Sequence, residues 1–377
     1  MNKNLFVVAI LAAAMLLNLG CATAPYQYGN LVPDSPNICK MPPDEPQIER
    51  GAPHGFLDFA GSWLWPNSLF GKLILWNIKV QNHEISRTTE DAIRDYLAAN
   101  DLAHVKVRLN QYAVGAEWRR WKHNYAIGGG WKYTVGVLNM LYYTVLPGRF
   151  FGGDHYNPYS NTINIYSDVS AIGLHESGHS KDFARRTWKG TYSILYGIVP
   201  LFNLYPEGIA THDAMSYLRA QGDLDNRKRG YNILYPAYGT YIGGDFGSWT
   251  PFYYPILAGA AVVGHVAGRT RSAMIDEEAP QAVPPEVVAR VQEWKMRQEM
   301  TMQTWRIKQH GEQPPPGYSP PEGNNVVPVK TPDAVNPAPG KSLGDVLREI
   351  KNLKDKGLIT DDEYQAKRRQ ILDRYSE

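Results

Sequence analysis

The chain has 377 residues, 43% of them apolar, enough for a sizeable core and more than one ordinary domain requires. Lys and Arg (39) nearly cancel Asp and Glu (37) and no basic block stands alone, so the charge pattern argues against a nucleic-acid partner. With two cysteines, Cys21 and Cys39, neither a disulfide framework nor a cysteine-based zinc site can be built, and any metal must be held by histidines and carboxylates.

The first twenty residues read as an export signal. Lys3 supplies the positive start, and Leu5 to Leu17 form an apolar run too short to span a bilayer comfortably. The run Leu19-Gly20-Cys21-Ala22-Thr23-Ala24-Pro25 follows. It resembles the lipobox of bacterial lipoproteins, although Asn18 stands where that family prefers Leu. The resemblance implies a lipid on Cys21, which becomes the new N-terminus. Ordinary signal cleavage after Ala22–Ala24 is the rival, and Pro25 beyond that bond opposes it. Ala22 behind the cysteine resembles outer-membrane sorting, so the expected location is the cell envelope, anchored by lipid on the periplasmic side of the outer membrane. Cys39 is left as an unpaired, inert thiol.

Residues 21–50 are polar and Pro-rich without periodicity and read as a tether. Thr89 to Asn100 reads as a helix with Ile93 and Leu97 on one face, and His104 to Leu109 alternates like a strand. Tyr133 to Leu146 places Val135, Leu138, Tyr142 and Val145 at helical spacing. Asn161 to Tyr166 (NTINIY) alternates as an edge strand, with Ile163 and Ile165 on one face. Asp168 is the expected cap of a helix running to about Arg186. Pro255 to Gly268, rich in Ala, Gly and Val, is short for a membrane span and reads as a packed core helix. A further helix is expected over Pro285–His310. Pro dominates residues 313–340, an extended spacer.

The segment from Lys341 to Tyr375 is a two-helix pattern. Leu343, Val346, Leu347, Ile350 and Leu353 mark the first helix, Gly357 ends it, and Thr360 with Glu363 forms a capping box for the second. The stretch KSLGDVLREIKNLKDKGLITDDEYQAKRRQIL is similar to the short C-terminal domain family (SHOCT). That resemblance implies no chemistry of its own; it implies docking or assembly, with a homo-oligomer or another partner meeting these helices.

The strongest chemical signal is His175-Glu176-Ser177-Gly178-His179. Positions four apart stack on one helical face, so both imidazoles can reach one metal ion, with Glu176 placed to take a proton from a metal-bound water. The small and apolar neighbours Ala171, Gly173 and Gly178 imply a buried helix. A catalytic zinc needs a third protein ligand. The candidate lies in Tyr205-Pro206-Glu207-Gly208-Ile209-Ala210-Thr211. These motifs together resemble the gluzincins, zincin peptidases whose third ligand is a glutamate, and EGIAT is similar to the EGFA(S/T) of their aminopeptidase members. By that resemblance Glu207 is the third ligand of a Zn2+ ion. Where several gluzincins carry an Asp supporting a zinc-bound histidine, this chain has Thr211; His212 and Asp213 nearby remain alternatives as ligand or support. Asp182 is another candidate to orient a ligand, or else an exposed charge. Metzincins are excluded, because Asp182 and Arg185 stand where they need Gly and His.

The resemblance implies an α+β, zincin-like (minimal gluzincin) metallopeptidase domain over residues 51–275. A signal peptide (1–20) and tether (21–50) precede it; a helical extension (276–312), Pro-rich linker (313–340) and SHOCT-like domain (341–377) follow. The implied activity is hydrolysis of peptide bonds in an envelope peptide or protein by zinc-activated water, with Glu176 as general base. The alternative is a non-catalytic envelope lipoprotein using the same fold for binding or assembly. Tyr231, Tyr235, Tyr238, Tyr241 and His265 are candidates to stabilise an oxyanion, and the sequence selects none of them.

Overall fold

A computed structural model of the chain describes residues 25–29, 38–42, 45–151, 153–199, 201–310 and Lys351. Two compact units divide the chain, Met1–Pro320 and Pro321–Glu377, and the description below concerns the first. The expected signal peptide, Cys21, the expected spacer and the two expected C-terminal helices lie outside the described residues, Lys351 excepted.

The unit is α+β, mostly helical around a small sheet. Four strands, β1 (Ile48–Arg50), β2 (Lys106–Leu109), β3 (His155–Asn157) and β4 (Thr162–Ile165), lie in the order β1-β2-β4-β3. β1, β2 and β4 are parallel, and β3 closes the sheet antiparallel to β4. Val107 pairs with Ile163 and Leu109 with Ile165, so one apolar face forms. That face meets Ile93 and Leu97 of helix α3 (Arg87–Ala99), all of them fully buried.

The opposite face is built from ions. Lys106 and Arg108 alternate with the apolar residues of β2 and are as buried as they are. Arg108 Nε donates to Glu117 Oε1 of helix α4 (Val114–His123) at 2.6 Å, and its Nη1 reaches Glu49 Oε2 at 2.8 Å. Lys106 Nζ lies 2.8 Å from Glu49 Oε1. Burying such charges is costly unless each is paired, which accounts for this close network.

Helix α7 (Ser170–Arg185), which carries the histidines, runs between α3 and α9 (Leu204–Ala220). Two glycines set that spacing. A Cβ on Gly173 would stand 2.6 Å from Ile93 Cδ1 of α3, and one on Gly178 would stand 3.0 Å from the Ala210 carbonyl of α9. The remaining elements are α1 (Gly55–Phe59), α2 (Pro66–Leu75), α5 (Gly129–Trp131), α6 (Val137–Val145), α8 (Lys189–Ile198), α10 (Leu224–Gly247), α11 (Tyr253–Met274) and α12 (Pro285–His310). Short π-helical turns occupy Ala60–Leu64 and Lys132–Gly136.

The structure departs from the sequence expectations at four places. The described part of the expected tether is folded in: Tyr26, Cys39 and Gln47 are buried and β1 belongs to the sheet. Asp168 does not cap α7, where Val169 takes the cap position without a side-chain bond. Its carboxylate accepts from Ser86 N at 2.9 Å, Ser86 Oγ at 2.5 Å, Thr89 Oγ1 at 2.7 Å and Lys79 Nζ at 2.8 Å, so it clamps the start of α3 instead. β4 is an interior strand, and β3 is the edge. Finally, the stripe Leu138, Tyr142, Val145 faces outward, while Met140 and Tyr143 are buried. Both sides of this helix are apolar, so spacing alone could not choose between them. The expected helix at Pro255–Gly268 is present within α11, which lies along α10 but leaves Val262 and Val266 open.

Candidate metal centre

His175 and His179 are one turn apart on α7, so their rings share a face. The ring centroids are 4.7 Å apart and the two Nε2 atoms 3.1 Å apart. The close crossing at Gly178 and Ala210 brings in Glu207 from the first turn of α9, 1% exposed. Its Oε2 lies 3.0 Å from His175 Nε2 and its Oε1 3.4 Å from His179 Nε2. One donor atom from each residue falls within 4.8 Å of the other two. Two imidazole nitrogens and one carboxylate oxygen are the donor set of a His2Glu catalytic zinc, and three protein ligands leave a coordination place open. The residues therefore fit the metal that the motifs imply.

Burial works to raise the proton affinity of Glu207. The imidazoles of His179 and His175 outweigh it and hold the carboxyl well below the usual range. Glu176 behaves oppositely: burial pushes its carboxyl up to about 8, with His175 pulling down and Glu207 pushing up. The backbone N–H of Tyr156, in the middle of β3, donates to the Glu176 carboxylate. The edge strand thus runs directly beside the acid of the motif.

Of the supporting residues considered, the structure brings only Thr211 to the ligands. It lies one turn after Glu207 on α9, 1% exposed, with Oγ1 3.2 Å from His175 Nδ1. Asp182 accepts instead from Arg186 and from the Tyr192 phenol. Asp213 belongs to another buried network, accepting from Lys181 Nζ at 2.9 Å, the Tyr26 phenol at 3.0 Å and the Tyr96 phenol. His212 is exposed and outside the cluster, which removes it as a ligand.

Tyr196 of α8 was not legible as a site residue, yet its phenol donates to Glu207 Oε1. It lies between the two motifs, in a stretch where tyrosine spacing carries no signal. Among the five downstream candidates, only Tyr241 also bonds to Glu207, whose charge pushes that phenol well above its ordinary value, with burial adding to the effect. Tyr238 donates to the Leu204 carbonyl at 3.0 Å. Tyr231 and Tyr235 are core residues, and His265 is held by the Ile74 carbonyl at 2.7 Å and stacked on Trp76.

Residues 347–372 match the family described as the short C-terminal domain (SHOCT), so the chain carries a SHOCT domain there. Neither the curated proteins nor the solved structures contain a match to the chain.

Proposed function

We propose that this chain is a zinc-dependent hydrolase of peptide bonds, a minimal gluzincin held at the bacterial cell envelope by a lipid on Cys21. One observation carries the reading: His175, His179 and Glu207 converge from two helices while Glu176, unligated, is buried beside them. Zinc held by His175, His179 and Glu207 would supply a Lewis acid that activates water. Glu176 stands on the same helix as the histidines, where its carboxylate would accept a proton from water and hand it on to a leaving amine. Thr211 fixes the orientation of His175, and the phenols of Tyr196 and Tyr241 hold the Glu207 carboxylate. β3, at the edge of the sheet and next to Glu176, is the strand along which an extended peptide would pair.

The anchor follows from the sequence at Cys21. Tyr26 is already buried in the domain, so a lipid five residues earlier would hold the domain close to the bilayer rather than on a long leash. Metal analysis of the full chain tests the centre. The expected result is one zinc per chain, most of it lost in His175→Ala and Glu207→Ala and retained in His212→Ala. Full occupancy in Glu207→Ala would contradict the ligand assignment.

A further inference from the structure

The apolar side chains left open on this unit are not scattered. α2 and the loop after it expose Leu73, Trp76 and Ile78. Phe70 of α2 makes an edge contact with Tyr254 of α11, ring centroids 6.2 Å apart, and Trp76 stacks on His265 of α11 at 4.1 Å. On the other side Trp65, just before α2, contacts the rings of Phe150 and Phe151 at 5.4 and 4.8 Å. The Tyr142 phenol of α6 donates to the Phe151 carbonyl, which joins α6 to the same surface. α2, α6 and α11 therefore share one apolar face, on which Leu73, Ile78, Val145 and Val266 are each 63 to 70% exposed. Isolated exposed residues need no explanation, but a contiguous face of this kind does.

Its charge says what covers it. Acids and bases are balanced over the whole chain, 37 against 39, yet the segments that carry these open side chains, residues 65–78, 137–151 and 253–275, contain no Asp or Glu. Exposed Arg269 lays its guanidinium over the Trp76 ring, 4.5 Å from its centroid, at the border of the apolar area. Open aliphatic side chains, Trp and Tyr at the margin, a basic group beside them and no carboxylate within these segments are the chemistry of a lipid–water interface carrying phosphate headgroups. No helix of the described residues is long and apolar enough to cross a membrane, so contact here means helices lying in the interface. We infer that the face formed by α2, α6 and α11 docks on an anionic phospholipid surface, inserting Leu73, Ile78 and Val266 among the acyl chains. The inference stands on exposure and charge and is independent of the hydrolytic reading.

The test uses the full chain in vesicles of phosphatidylethanolamine and phosphatidylglycerol. Single cysteines at Leu73→Cys, Ile78→Cys and Val266→Cys, each at an exposed site, are labelled with bimane. Glu293→Cys on α12 is the control, and the label taken up by the wild-type chain sets the background, Cys39 being buried. Bromine on the acyl chains should quench the labels at 73, 78 and 266 at least twofold and leave 293 unchanged. Quenching no greater at the three sites than at 293 overturns the proposal. So does a bimane blue shift at 73 that grows with protein concentration without vesicles, which would assign the face to a second copy. Unchanged melting temperatures of the labelled variants show that the fold is intact.

Discussion

Thr211→Val isolates the hydroxyl that steadies His175. Valine reproduces the shape of threonine, so the Gly178–Ala210 crossing of α7 and α9 should survive unchanged. What is lost is the contact at 3.2 Å between Thr211 Oγ1 and His175 Nδ1. With zinc held at Nε2 as proposed, Nδ1 would carry the proton and need an acceptor. At 1% exposure of Thr211, water cannot readily take the place of the hydroxyl. Leaving a buried donor unpaired costs about 1–3 kcal/mol. At about 1.4 kcal/mol per decade, that corresponds to roughly 5- to 150-fold in affinity. Losses of roughly 10- to 100-fold are usual when a ligand's outer partner is removed. Competition for zinc against a chromophoric chelator measures the effect. Thr211→Val should bind about 10- to 100-fold more weakly, whereas Thr211→Ser, which keeps the hydroxyl, and Asp182→Asn, whose carboxylate bonds Arg186 and Tyr192, should stay within about threefold. If Thr211→Val binds zinc as tightly as wild type, His175 is oriented by something else and the role given to Thr211 is wrong.

Glu117→Gln leaves the Arg108 guanidinium, 1% exposed, without one of its two carboxylates, and should lower stability by about 3 kcal/mol in urea denaturation; a loss below about 1 kcal/mol would mean that Glu49 suffices. Asp168 makes stability depend on acid. Burial opposes ionisation, but hydrogen bonds from Lys79, Ser86 and Thr89 hold its carboxyl at about 2 against an ordinary 3.8. The folded state therefore binds this proton less readily than the unfolded chain, and the stabilisation is full above pH 3.8 and lost as pH falls through 2. The melting-temperature gap between wild type and Asp168→Asn should be widest above that window and close toward its lower end; a gap that does not change with pH refutes the clamp. Cys21→Ser should abolish fatty-acid labelling, and a mutant still labelled like wild type would remove Cys21 as the anchor.

The parts of the fold that could be read from the sequence are those whose chemistry repeats at a fixed period. Ile93 and Leu97 announced the buried face of α3. The HESGH motif and the EGIAT stretch carried the candidate ligands because spacing on one helix, and small residues at a helix crossing, are local properties. β1 and β3 escaped because three residues cannot display an alternation. The inward face of α6 escaped for a different reason: Met140 and Tyr143 are no more apolar than Leu138 and Val145, and only neighbours distant in sequence decide between them. Partners of charged residues were hidden in the same way. Asp168 bonds across to Lys79, Ser86 and Thr89, and Asp213 to Tyr26 and Lys181, pairings that only the tertiary fold creates. Tyr196 reaches Glu207 because α8 folds back over the site, and nothing in its own neighbourhood marks it.

The central claim is that Glu176 does chemistry beside a metal rather than filling space beside it. Glu176→Gln keeps the size and polarity of the side chain but cannot accept a proton. Wild type and this variant, each with its zinc content measured, should be compared on a broad peptide library and on envelope extracts. The account predicts that Glu176→Gln retains one zinc per chain while hydrolysis falls by about 100-fold or more. Full hydrolytic rate in a zinc-replete Glu176→Gln, or a zinc-replete wild type that cleaves nothing in either substrate set, would contradict it.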